Sequence, residues 1–135
     1  MENKLPEKIN FLGKKIIVAE DEELNYFLLE TILLRAGANV LHAWNGLQVI
    51  ELLRKHPDVS IILMDIKMPV MDGYDATREV KKINPDIVVI AQTAYSFEAD
   101  KTNCFEAGCD YYMAKPICKR QLYSIMEKYL TEQVK

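Results

Sequence analysis

The chain has 135 residues, of which half are apolar and about a quarter are charged, a composition typical of one soluble globular domain. Its net charge of -3 does not provide the basic surface that nucleic acid requires, so we expect no direct contact with nucleic acid. Without a secretory signal, a membrane-spanning run or a CxxC pair, the sequence predicts a cytoplasmic protein with reduced cysteines and no membrane contact by this domain.

The N-terminal segment differs in composition from the rest. Residues 1–13 are polar and are interrupted by Pro6 and Gly13, which is typical of a leader or linker. We therefore predict a leader over residues 1–13 and one domain over residues 14–132.

The domain opens with two strand and helix units. The β-branched run 15–19 predicts a strand, and the helix that follows it ends at Gly37. A second strand over 39–43 precedes a helix with Asn45 as its N-cap. The helical periodicity predicts that these helices turn the following residues toward the core: Leu24, Phe27, Leu28 and Thr31 in the first, and Leu47, Ile50 and Leu53 in the second.

A short apolar run in the middle of the chain predicts a strand buried on both faces. It spans residues 61–64 and leads directly into Asp65. Pro69 and Gly73 mark the loop that follows, and a helix is expected from Tyr74 to about Lys82. A carboxylate at the end of a buried strand is costly, so Asp65 is the leading functional candidate.

The last third of the chain repeats the alternation. Residues 87–91 predict a strand, and a helix capped by Ser96 ends at Gly108. Residues 111–114 predict the fifth strand, before a final helix over about 120–130. Five alternations of strand and helix predict an α/β fold with a parallel sheet and helices on both faces.

Polar side chains follow four of these strands. Glu20, Asp21, Asp65, Thr93 and Lys115 stand at the carboxyl ends of strands one, three, four and five. Because ligands of open α/β sheets bind outside those ends, we expect these residues to share one pocket.

The residue types in that pocket predict phosphoryl chemistry with a divalent metal. Three carboxylates repel each other unless a cation joins them, and all-oxygen donors suit Mg²⁺. With the metal and Lys115 neutralising charge, a carboxylate can attack a phosphoryl group, and the Thr93 hydroxyl can bind one of its oxygens.

These motifs resemble the receiver domain of two-component response regulators. The resemblance rests on Glu20-Asp21, on LMDIKMPVMDG around Asp65, on Thr93-Ala94 and on Lys115-Pro116, and it covers nearly the whole chain. It implies a flavodoxin-like sheet of strand order 2-1-3-4-5 and a phosphoacceptor that is switched by a phosphorelay rather than an enzyme acting on a separate substrate.

The resemblance also implies residue roles. Asp65 accepts the phosphoryl group, and Lys115, joined to Pro116 by a cis peptide bond, contacts the phosphoryl oxygens. Asp21 and the main-chain carbonyl of Lys67 bind Mg²⁺, with Glu20 acting through water. The expected switch pair is Thr93 and Tyr112.

Within the family the sequence is most similar to receivers of hybrid sensor histidine kinases. The expected partner is a histidine kinase or histidine phosphotransfer protein, the expected state is a monomer or weak dimer, and a free-standing regulator remains an alternative. Asn25 and Leu29 on the first helix are candidate docking residues. Lys67 and Tyr95 beside the pocket predict a long-lived phosphoryl group.

Three other functions fit parts of the pattern. A metal-dependent small-molecule phosphatase also uses a strand-end aspartate, but its usual second aspartate two residues later is here Lys67. A flavodoxin-like cofactor domain lacks a phosphate-cradling glycine loop after the first strand. A receiver-like adaptor that is never phosphorylated would not need a complete acceptor site.

Overall fold

A computed structural model describes residues 11–94 and 98–133. Most of the predicted leader, together with Tyr95 and Ser96, lies outside these ranges. The strands are β1 (Lys15–Ala19), β2 (Asn39–Ala43), β3 (Val59–Asp65), β4 (Val88–Thr93) and β5 (Tyr111–Ala114). The helices are α1 (Glu23–Arg35), α2 (Gly46–Lys55), α3 (Gly73–Ile83), α4 (Glu98–Ala107) and α5 (Lys119–Gln133).

The five strands form one parallel sheet of order β2-β1-β3-β4-β5, which confirms the predicted topology. The order reverses beside β1, so the chain leaves β1 and β3 toward opposite sides of the sheet. This reversal opens a crevice at the carboxyl ends of the two strands.

The core lies on both faces of the sheet, and β3 contributes to each. Ile61 and Leu63 pack with buried residues of α1 and α5, whereas Ile62 and Met64 pack with those of α2, α3 and α4. Burial of these side chains on both faces fixes the central strand firmly. The residue at its end is therefore held by a rigid scaffold.

The predicted inner face of α1 is wrong. Leu24, Phe27 and Leu28 are exposed. The helix instead buries Leu29, Ile32 and Leu33. Apolar residues surround much of this helix, so periodicity alone cannot choose the face that packs on the sheet. Because Leu29 is buried, it is not a docking residue.

Smaller differences concern α2 and β4. Leu47, which was predicted to face the core, is 45% exposed, and Val49 is buried in its place. β4 continues through Gln92 and Thr93, because both residues pair with β5.

Among the described residues, no helix is long and apolar enough to cross a bilayer.

Candidate functional site

The strand ends bring the predicted site residues together. Asp65 is the last residue of β3 and is 5% exposed. Glu20 follows β1, Thr93 ends β4 and Lys115 follows β5. One pocket at the carboxyl edge of the sheet is lined by Glu20, Asp21, Asp65, Lys67, Thr93 and Lys115.

Three carboxylates in this pocket form a candidate metal centre. One oxygen each from Glu20, Asp21 and Asp65 lies within 4.8 Å of the others. Asp21 is exposed, whereas Glu20 and Asp65 are buried, so the cluster opens to solvent on the Asp21 side. Hard oxygen donors without sulfur or imidazole fit Mg²⁺.

Lys115 supplies the positive charge. Its Nζ lies 3.1 Å from Oδ2 of Asp65 and 3.3 Å from Oε1 of Glu20. Burial alone would lower the pKa of Lys115, but the charges of Asp65 and Glu20 outweigh this effect and raise the pKa. The lysine side chain therefore stays protonated. The peptide bond between Lys115 and Pro116 is cis, as the resemblance implies.

The Asp65 carboxyl is strongly perturbed. Burial, followed by the negative charge of Glu20, raises the pKa of Asp65 to about 6, although Lys115 opposes the shift. In the metal-free protein this carboxyl is partly protonated near pH 6, whereas a bound cation would favour the ionised form.

The loop after Asp65 is closed by backbone contacts. The N–H of Lys67 donates to Oδ1 of Asp65 at 3.3 Å, and the N–H of Gly73 donates to the carbonyl of Ile66 at 2.8 Å. A Cβ atom at position 73 would lie 2.4 Å from the Asp65 carbonyl oxygen. The glycine is required because the start of α3 approaches the end of β3 so closely.

Tyr112 lies apart from the pocket. Thr93 is 6% exposed and lines the pocket, but the Tyr112 ring packs against α4. Its centroid is 6.4 Å from that of Phe105 in an edge-to-face arrangement, and the Nζ of Lys101 lies 6.0 Å from it. In this conformation the aromatic ring is half-buried and packs on the side of the sheet that α2, α3 and α4 cover.

Sequence reasoning missed two residues that hold Glu20. The Asn25 side-chain amide donates to Oε1 of Glu20, and the Nε2 of His42 lies 2.9 Å from the Glu20 carbonyl oxygen. Asn25 stands in the first turn of α1, from which a side chain can reach back toward the end of β1. The place of Asn25 in the first helical turn after β1 was the sequence feature that could have predicted this contact.

Gln92 is a further unexpected feature. It is 1% exposed and pairs in register with Asp65 across the sheet. Its side-chain amide has no hydrogen-bond partner among the residues that the structure describes. A buried polar group without a partner destabilises the fold.

Comparison with known proteins identifies close relatives. The model of the response regulator receiver domain family matches residues 16–127. Hybrid signal transduction histidine kinase I of Dictyostelium discoideum is 34% identical over 90% of this chain, but the chain spans only 8% of that protein. The polar-differentiation response regulator DivK of Brucella anthropi is 33% identical, with 88% of this chain and 98% of DivK covered.

A solved structure has the same fold. It is the receiver domain of the sensor histidine kinase PA1611 of Pseudomonas aeruginosa, with a magnesium ion coordinated in its active-site cleft. It is 32% identical, covers 88% of this chain and 98% of its own, and has a TM-score of 0.82.

Proposed function

The chain belongs to the response regulator receiver domain family and is a phosphoacceptor domain of two-component signalling, and we propose that Asp65 is its acceptor residue. The observation that carries this assignment is the place of Asp65 at the end of the buried strand β3, with the Nζ of Lys115 at 3.1 Å. The donor is a phosphohistidine on a histidine kinase or a phosphotransfer protein.

The transfer requires an ionised Asp65. One carboxylate oxygen attacks phosphorus, the O–P bond forms as the P–N bond breaks, and the donor imidazole keeps the electron pair and takes a proton from solvent. The ammonium of Lys115 neutralises charge on the phosphoryl oxygens, and the Thr93 hydroxyl donates to one of them. The product is an acyl phosphate on Asp65.

Mg²⁺ is the proposed cofactor. Asp21, Asp65 and the main-chain carbonyl of Lys67 would hold it, and Glu20 would contribute through water. The grouping of three carboxylates within 4.8 Å supports this assignment, as does the magnesium-containing Pseudomonas receiver. Bound Mg²⁺ supplies positive charge that balances the carboxylates and the transferred phosphoryl group.

The phosphoryl group then acts as a switch. It adds nearly two negative charges and three acceptor oxygens, to which the Thr93 hydroxyl moves. Tyr112 turns from its contact with Phe105 into the space that Thr93 leaves. The surface of α4, β5 and α5 changes with it and transmits the signal.

The domain is regulatory and promotes only its own phosphorylation and dephosphorylation. Residues 14–132 form it, and residues 1–13 act as a leader or linker whose Phe11 is buried against Tyr123 of the domain. It works in the cytoplasm as a monomer or weak dimer, either alone or as the receiver of a hybrid histidine kinase.

Intact mass spectrometry tests the acceptor assignment. Incubation with acetyl phosphate and Mg²⁺ should add one phosphoryl group per chain, and Asp65→Asn or excess chelator should prevent the addition. Asp75→Asn, an exposed position on α3, is the matched control and should be modified as in the wild type. Continuous turnover of acetyl phosphate without a stoichiometric adduct would favour the small-molecule phosphatase instead.

A further inference from the structure

Glu20 is a buried carboxylate held by several donors. It is 0% exposed, although it belongs to the candidate metal centre. Its Oε2 accepts a hydrogen bond from the Glu22 N–H at 3.1 Å. Its Oε1 is contacted by both the Asn25 amide and the Lys115 ammonium, the latter at 3.3 Å.

A glutamate at this position needs such support. Its side chain has one more rotatable bond than aspartate, so more entropy is lost when the carboxylate is fixed. The nearby charges of Asp21 and Asp65 also repel it, and the ammonium of Lys115 attracts it away from a metal ion. Of the two side chains that contact Oε1, Asn25 is the one that adds no charge to the site.

We infer that Asn25 is a positioning residue for the magnesium site, because its amide fixes the Glu20 carboxylate beside Asp21 and Asp65 and limits its pairing with Lys115. The inference rests on the proposed function, in which this centre binds Mg²⁺. It assigns to Asn25 a role beside the pocket, through its contact with Glu20, in addition to the partner docking that the sequence suggested.

Removal of the amide should weaken Mg²⁺ binding. We expect Asn25→Ala to raise the Kd for Mg²⁺ by about tenfold, as loss of a residue that orients a metal ligand commonly does. Calorimetric titration with MgCl₂ measures the Kd, and the shift of the Lys67 amide resonance confirms that the ion enters this pocket. Asn25→Leu has a similar volume without the donor and should give the same loss.

Leu24→Ala is the matched control. Leu24 lies in the same turn of α1, is 78% exposed and does not line the pocket. The Kd of the Leu24→Ala variant for Mg²⁺ should equal that of the wild type. A similar loss in Leu24→Ala would overturn the inference, because it would show that any change in this turn disturbs the site.

A double-mutant cycle separates positioning from a general structural role. Glu20→Asp shortens the side chain by one methylene and withdraws the carboxylate from Asn25. In that background Asn25→Ala should change the Kd by less than about twofold, because the two residues no longer interact. A full tenfold loss in both backgrounds would show that Asn25 acts independently of Glu20 and would overturn the inference.

The outcomes also distinguish this inference from the proposed function. If the wild type binds Mg²⁺ in the pocket and folded Asn25→Ala and Asn25→Leu bind it equally well, the positioning role is wrong and the metal site stands. If the wild type fails to bind Mg²⁺, the metal assignment fails and the inference fails with it.

Discussion

Lys115 places its side-chain nitrogen 3.1 Å from Oδ2 of Asp65, and this ion pair joins the loop after β5 to the end of β3. The positive charge of Lys115 lowers the pKa of Asp65 only in part, since burial and the charge of Glu20 still raise it to about 6. Protonation, metal binding and phosphoryl acceptance therefore all depend on one carboxylate.

The first prediction concerns stability and pH in the absence of Mg²⁺. The folded-state pKa of Asp65 is raised from 3.8 to about 6, so its contribution to stability is fully present below pH 4 and is lost as the pH rises through 6. We subtract the free energy of unfolding of Asp65→Asn from that of the wild type. This difference should fall by about 2 to 3 kcal/mol between pH 4 and pH 7.5.

Urea denaturation in chelator at the two pH values measures this difference. Asp75→Asn, on the exposed side of α3, serves as the control and should change far less with pH. A constant difference between wild type and Asp65→Asn would mean that Asp65 ionises in the folded protein as easily as in the unfolded chain. Added Mg²⁺ should restore stability at the higher pH, because it binds the ionised form.

The second prediction concerns the close approach at Gly73. Because a Cβ there would meet the Asp65 carbonyl oxygen at 2.4 Å, Gly73→Ala should lower the free energy of unfolding by about 1 to 3 kcal/mol and slow phosphoryl acceptance. Urea denaturation and the rate of adduct formation with acetyl phosphate measure the two effects.

Gly13 offers a contrast to Gly73. It has a φ of +79°, and an added Cβ there would meet no atom within 4 Å, so Gly13→Ala strains the backbone without touching the pocket. That variant should lose stability but accept phosphoryl groups at the wild-type rate. Equal slowing in both variants would indicate that lost stability, rather than crowding at Asp65, reduces the rate.

The third prediction concerns Gln92. Its buried amide has no partner among the described residues, so Gln92→Met should raise the free energy of unfolding by about 1 to 2 kcal/mol. Gln121→Met, at an exposed position of α5, should change it by less than about 0.5 kcal/mol. Destabilisation of Gln92→Met in urea denaturation would show instead that the amide has a polar partner.

Much of this site follows from sequence because strand ends are easily recognised. The apolar run before Asp65 predicted β3 and the pocket beside it, and the topology followed from the alternation of elements. The side of α1 that packs on the sheet was not predictable, since both Phe27 and Leu29 fit an apolar face. The bond from Asn25 to Glu20 depends on how α1 is placed over β1, which a linear pattern does not specify.

The fourth prediction concerns the Tyr112 switch. The edge-to-face contact with Phe105 holds the ring against α4, so Phe105→Ala should favour the inward conformation before phosphorylation. The amide resonance of Tyr112 should then move toward its position in wild type with beryllofluoride and Mg²⁺. Phe27→Ala, an exposed position on α1, should leave the resonance unchanged. An unshifted Tyr112 resonance in Phe105→Ala would contradict this role for the contact.

The most direct test of the central claim locates the acyl phosphate in the chain. The protein is exposed to acetyl phosphate and Mg²⁺, and borohydride then reduces any acyl phosphate to an alcohol, which converts the modified aspartate to homoserine. Tandem mass spectrometry should find homoserine at Asp65, and its yield should fall in chelator. Homoserine at Asp21 or at another aspartate, or no reduction product under conditions that phosphorylate a known receiver, would contradict the assignment of Asp65 as the acceptor.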